Sequence, residues 1–162
     1  MKFSAIDEYG LRCMLQMARK GPGGTMTIVE LAQGEALTPA YIGKLMAILR
    51  KGGLVKSTRG QSGGYQLAKP AQDISVNEVI EVLGGKFYSR KDCNKFSGQH
   101  DSCVHSVDCS IRSLWTGLDR VVSGYLTRCK LSDLVMTEPE MGKWLEQKPE
   151  EAVTKLNHEV HP

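Results

Sequence analysis

In residues 6–19, IDEYGLRCMLQMAR, apolar side chains fall at Ile6, Tyr9, Cys13, Met14 and Met17, the three-four spacing of a helix with one buried face. The run GPGG at 21–24 predicts its end. Thr27 stands three residues before Glu30, a capping box that opens a second helix with Ile28, Leu31 and Ala32 inward. Gly34 is expected to break that helix. EALTPA then restarts one, with Thr38 as N-cap and Pro39 at the first helical position, where its missing amide costs nothing. This third helix runs to about Lys51 and ends at Gly52 and Gly53. Its inward stripe is Ile42, Leu45, Met46 and Leu49, which leaves Ala40, Tyr41, Gly43, Lys44 and Ala47 on the open side.

Beyond the third helix the period changes. LVKST and YQLAK are short strand candidates around RGQSGG, and glycine supplies the positive φ of a tight hairpin. Two helices joined by a short turn and followed by a hairpin predict a winged helix-turn-helix, with Arg59 and Gly60 at the wing tip. Ser75 and Glu78 form a second capping box, opening a helix with Val76, Val79, Ile80 and Leu83 that Gly84 and Gly85 close. The longest amphipathic run spans 110–126, with Ile111, Leu114, Trp115, Leu118, Val121, Val122 and Tyr125 along one stripe. A stripe of that length outside the winged core is expected to meet a partner helix.

The pattern therefore predicts a mainly α fold with a small β wing. Residues 1–70 form a winged helix-turn-helix DNA-binding domain, 71–135 a cysteine loop and dimerisation helix, and 136–162 a C-terminal tail with a short helix and a frayed end. There is no internal repeat.

Charge sharpens the first assignment. The net +3 conceals ten Lys and Arg against four Asp and Glu in residues 1–70, and eleven against fourteen in the remainder. The basic half is the one expected to meet nucleic acid. Thr38, Ala40, Tyr41 and Lys44 are candidates for base edges or phosphates, and Arg59 with Gly60 for the backbone or a narrow minor groove.

No apolar run is long enough to span a membrane, and the start MKFSAIDEYG carries acidic residues where an export signal would be apolar or arginine-rich. A cytoplasmic location is expected. In that reducing compartment cysteines point to metal binding or redox sensing rather than to structural disulfides.

CNKFSGQHDSCVHSVDC, residues 93–109, is polar, lacks helix or strand periodicity, and carries Cys93, Cys103 and Cys109. Thiolates are the usual ligands of iron-sulfur clusters, and an irregular loop can wrap several sulfurs around one inorganic core. Three cysteines leave one ligand position short. A Cys3His zinc site using His100 or His105, and a thiol-disulfide switch without metal, are the rivals; gaps of nine and five residues lack the tight Cys-x-x-Cys pair usual in structural zinc sites. Cys13 and Cys129, each in a helical pattern, are expected in the core. No phosphate loop, Ser-x-x-Lys, His-Glu-x-x-His or evident carboxylate pair supports an enzyme. An iron-sulfur accessory or interaction module that kept the winged fold without reading DNA is the alternative of another class.

LTPAYIGKLMAILRKGGLVKSTRGQSGGYQLAKP, followed by a helix, the three-cysteine loop and a long helix, resembles the winged-helix regulators of the Rrf-two type, the iron-sulfur family that includes IscR and NsrR. The resemblance runs from MKFS to about LSDLV at 135. It implies a homodimer on a palindromic double-stranded operator, a regulator of the repressor type that senses redox, nitric oxide or iron-sulfur status. It further implies that Cys93, Cys103 and Cys109 hold the iron of a cluster, with the loop of one subunit near the N-terminal helix of the other. Glu8 matches the acidic residue that completes the cluster across the interface in the NsrR-like branch, and Asp7 is its neighbour. IscR-like proteins carry a histidine three residues after the last cysteine, where this chain has Arg112, and the first cysteine gap is longer than usual. The choice between a two-iron and a four-iron cluster stays open.

Overall fold

The computed structural model describes residues 4–60, 63–89, 93 and 95–147. Their elements run α1 (Ala5–Arg19), α2 (Ile28–Glu35), α3 (Pro39–Lys51), β1 (Val55–Thr58), β2 (Gly64–Leu67), α4 (Val76–Leu83), α5 (Ser110–Arg128) and α6 (Glu138–Gln147), with 3-10 turns at Ala71–Asp73 and Asp133–Val135. The fold is mainly helical with a small β wing, as the periodicity predicts. The expected frayed tail over 148–162 lies outside the described residues.

Side chains decide where the helices begin. Thr27 and Glu30, and Ser75 and Glu78, form the reciprocal caps expected of them. Ser4 and Asp7 make a third at α1, where Ser4 donates from both N and Oγ to Asp7 Oδ2 at 2.8 and 2.7 Å. Each box satisfies amides that have no partner within the helix. Thr38 caps α3 with Pro39 in its first turn.

The stop of α2 differs from expectation. Gly34 stays helical, and the chain turns at Ala36, which adopts the left-handed conformation with φ 54°. Gly34 is instead a packing position, because a Cβ there would come within 2.4 Å of the Gln16 side chain on α1. Periodicity alone does not separate a glycine that ends a helix from one that lets two helices approach.

Cys13, Met14 and Met17 from α1, Leu31 from α2, Ile42, Leu45, Met46 and Leu49 from α3, and Leu54 and Val55 entering the wing make one core. Ile74, Val79, Leu83 and Leu131 join it. The segment after α5 is held there by Val76 N donating to Cys129 O at 2.8 Å and Leu131 N to Ile74 O at 2.9 Å. Cys13 and Cys129 are buried as expected. Burial pushes the Cys13 thiol up to about 12, with a smaller push from Glu35, so it stays a neutral packing group.

The wing pairs Val55 with Leu67, Lys56 with Gln66, Ser57 with Tyr65 and Thr58 with Gly64. Its strands are each a residue or more offset from the sequence reading. Tyr65 also exchanges both backbone hydrogen bonds with Met26, at 2.9 and 2.8 Å, which anchors the hairpin to the segment before α2.

Candidate DNA interface and sulfur-lined cavity

α2 and α3 meet through the Ala36 turn, and α3 presents its N-terminus and one side to solvent. Thr38, Ala40, Lys44 and Ala47 are exposed there. Tyr41, expected on the open side, is half-buried instead: its ring meets Tyr9 of α1 edge-on, with centroids 6.1 Å apart and planes at 89°. That geometry aligns a positive ring edge with a negative ring face, so Tyr41 fixes α3 against α1. Arg59 is exposed at the wing, and Gly60 takes φ +110°, closed to most side chains, while its carbonyl accepts from Gly63 N at 2.9 Å. The hydroxyl of Thr58 accepts from Gly64 N at 3.1 Å and ties the two strand ends together. Structure thus brings Thr38, Ala40, Lys44, Arg59 and Gly60 to the surface, with Tyr41 set back behind them.

The three cysteines are brought together. Cys93, Cys103 and Cys109, all half-buried, line one cavity of about 540 Å³ whose walls are completed by Phe87, Tyr88, Phe96, His105, Ile111, Arg112 and Trp115. None of the five cysteines is bridged to another. Among the described residues no three His, Cys, Asp or Glu side chains stand close enough to ligate one metal ion. His100 is an exposed loop residue away from the cavity wall, whereas His105 lies on it.

Tyr88 escapes sequence reasoning, and Arg112 enters it only as the departure from the IscR-like histidine. Tyr88 Oη lies 3.1 Å from Cys93 Sγ, and that hydrogen bond, ahead of burial, pushes the phenol up to about 12. Asp119 of α5 accepts from Tyr88 N at 3.0 Å, so Tyr88 is held on the same helix that follows the cysteines. Arg112 donates through Nη2 to the carbonyls of His105 and Ser106 at 2.6 and 3.0 Å. Tyr88 belongs to no spacing motif, and only the folded loop brings its hydroxyl to sulfur.

Cys109 is the N-cap of α5. Along that helix the stripe divides: Val122, Tyr125 and Leu126 are half-buried, while Ile111, Leu114, Trp115, Leu118 and Val121 are exposed, Leu114 by 64%. An uncovered row of this kind next to the cavity is unusual for a finished surface.

Glu8 is not among the residues lining the sulfur cavity and lines a separate groove with Met141 and Leu145 of α6. It is exposed and paired with Arg12, Nη2 to Oε1 at 2.7 Å. The same guanidinium lies 3.9 Å from Glu35 at the end of α2 and 5.7 Å from the centroid of Tyr9. Gln16 also hydrogen-bonds Glu35. Asp7 is 92% buried by its cap role, with Oδ1 unpartnered among the described residues, and does not reach the cysteine cavity.

The Rrf2 family model, described as an iron-dependent transcriptional regulator, matches residues 3–137. The chain belongs to the Rrf2 family. Over 135 residues it is 31% identical to the transcriptional regulator IscR of Photobacterium profundum, covering 83% of this chain and 76% of the relative. It is also 31% identical to protein rrf2 of Nitratidesulfovibrio vulgaris, covering 83% and 87%. Among solved structures, CymR, the global cysteine regulator of B. subtilis, is 29% identical with a TM-score of 0.66, covering 83% of this chain and 96% of that one. IscR of T. potens is 30% identical with a TM-score of 0.65, covering 83% and 86%. As an Rrf2 member the chain is a DNA-binding transcriptional regulator and not an enzyme. Among the described residues no helix is long and apolar enough to cross a membrane.

Proposed function

We propose that this Rrf2 regulator works in the cytoplasm as a homodimer that binds a palindromic operator, represses from it, and reads redox, nitric oxide or iron-sulfur status through a cluster on Cys93, Cys103 and Cys109. The observation that carries the reading is the meeting of these three thiols of one loop around one largely apolar cavity beside the bare stripe of α5. Three thiolates on one irregular loop that lacks a tight Cys-x-x-Cys pair suit a multi-atom inorganic core better than a structural zinc ion. When bound, such a cluster supplies a redox-active and nitric-oxide-reactive centre.

The chain's own residues do the rest. In this reading the exposed stripe from Ile111 to Val121 pairs with its copy and sets the distance between two α3 helices for successive major grooves. Thr38, Ala40 and Lys44 meet bases and phosphates, Tyr41 orients them, and Arg59 with Gly60 grips the flanking minor groove or backbone. Glu8 of one subunit serves as the fourth ligand to the other subunit's cluster. Engaging Glu8 frees Arg12, which already leans toward Glu35 and Tyr9, and through Tyr9 and Tyr41 that change reaches α3. A coupling of roughly 1 to 3 kcal/mol gives a 5- to 150-fold change in operator affinity.

Anaerobic purification tests the reading. The protein should be coloured, contain iron and acid-labile sulfide, and lose its sulfur-to-iron absorption in Cys103→Ala; a colourless protein carrying stoichiometric zinc overturns it. A second reading, a thiol switch without metal, is favoured by the likeness to CymR, including the oxidised form from Staphylococcus aureus at 30% identity and a TM-score of 0.64. It expects a disulfide among the same three cysteines after peroxide treatment of iron-free protein, together with a change in operator affinity.

A further inference from the structure

Arg112 sits where a cation is least favoured. It is the third residue of α5, after the N-cap Cys109, and helix N-termini favour negative charge. In α1, α2 and α4 the same position carries Asp7, Glu30 and Glu78. Two carbonyls, of His105 and Ser106, take its Nη2. Its Nε is buried and has no partner among the described residues, and the side chain lines the cavity of Cys93, Cys103 and Cys109. A permanently charged group with an unmet, desolvated donor, facing three sulfurs, calls for an anion in that cavity.

We infer that Arg112 is the charge partner of the sulfur site and the strut that ties its loop to α5. This rests on the cluster reading above. A guanidinium has no lone pair for iron, so Arg112 is a positioning residue and not a ligand. Its positive charge offsets the negative charge of a thiolate-held centre and raises that centre's reduction potential. Its Nη2 bridges the carbonyls of His105 and Ser106 in the turn between Cys103 and Cys109, which Ser106 N closes on Cys103 O at 3.1 Å. Any displacement of these sulfurs therefore pulls on the first turn of α5.

Wild type, Arg112→Gln and Arg112→Lys are purified anaerobically and compared by iron content, one-electron reductive titration, amide hydrogen exchange over 103–109, and operator affinity of holo and apo forms. Unfolding melts confirm that each variant is folded. Arg112→Gln should hold iron at a more negative midpoint potential, exchange faster over 103–109, and reduce the holo-to-apo affinity ratio at least fivefold. Arg112→Lys should keep a potential near wild type, because it keeps the charge, yet show the faster exchange, because its ammonium ends one bond short of the Nη2 position that bridges the two carbonyls. Loss of iron in the Gln variant alone supports the same role for the charge. A Gln variant with wild-type potential and affinity ratio, or equal iron loss in both folded variants, overturns it. If the wild type itself holds no iron, the cluster reading has failed separately. Loop exchange in apo Arg112→Gln then decides the strut, with faster exchange supporting it and unchanged exchange overturning it.

Discussion

Gly64→Ala isolates what holds the wing in place. An added Cβ would stand 2.5 Å from the Met26 carbonyl oxygen and 2.8 Å from its carbon. These are backbone atoms, so neither can rotate away as a side-chain tip would. Relief requires the hairpin to leave the segment before α2, breaking Met26 N to Tyr65 O at 2.9 Å and Tyr65 N to Met26 O at 2.8 Å. At about 1 kcal/mol net per hydrogen bond the loss is about 2 kcal/mol. For a chain of this size that lowers the melting temperature by roughly 4–8 °C. The displaced hairpin also carries Arg59 away from the plane of α3, so operator affinity should fall even at temperatures where the variant is folded. Thermal denaturation by circular dichroism and fluorescence anisotropy with a labelled operator read the two effects. A variant that melts within 1 °C of wild type and binds with unchanged affinity would show that this bridge does not position the wing.

Other outcomes follow from the same structure. Arg59→Ala should weaken operator binding and flatten the slope of log affinity against log salt by about 1 per subunit, as for a lost phosphate contact; an unchanged slope removes Arg59 from the interface. In native iron-free protein at pH 8, a thiol reagent should label Cys93, Cys103 and Cys109 quickly, while Cys13, buried and pushed up to about 12, reacts only on unfolding; mass spectrometry of the labelled peptides decides this. Leu45→Ala, at a fully buried core site, should cost about 2–5 kcal/mol in chemical denaturation. The Glu78 carboxyl is held below its ordinary range, first by the Ser75 amide and then by Lys69. A depressed carboxyl stabilises above its unfolded value of about 4.3 and loses that contribution as pH falls through the folded value. Stability of Glu78→Gln should therefore fall less steeply than wild type below about pH 4.5, and parallel acid-denaturation curves would contradict the assignment.

Much of the winged half was legible in order. Thr27, Thr38 and Ser75 announce helix starts because capping depends on side-chain oxygens a few residues from the amides they satisfy. The buried stripe of α3 is legible because helical spacing alone puts Ile42, Leu45, Met46 and Leu49 on one face. Tyr41 was placed outward by the same rule and turned half inward by Tyr9, a contact between helices about thirty residues apart that no local pattern encodes. Gly34 and Ala36 exchanged roles for a similar reason: the tight approach of Gln16 claims the glycine.

The sequence by itself determined the order of helices and wing, the core-facing positions, and the identity of the three clustered thiols, since these follow from local periodicity, capping and side-chain chemistry. Tertiary structure alone decided that the thiols share one cavity, that Tyr88 and Arg112 join them, and that Glu8 connects through Arg12 to Glu35 and Tyr9. Those relations depend on where separate elements come to rest against a common core, and local propensity carries no information about distances between segments that packing brings together.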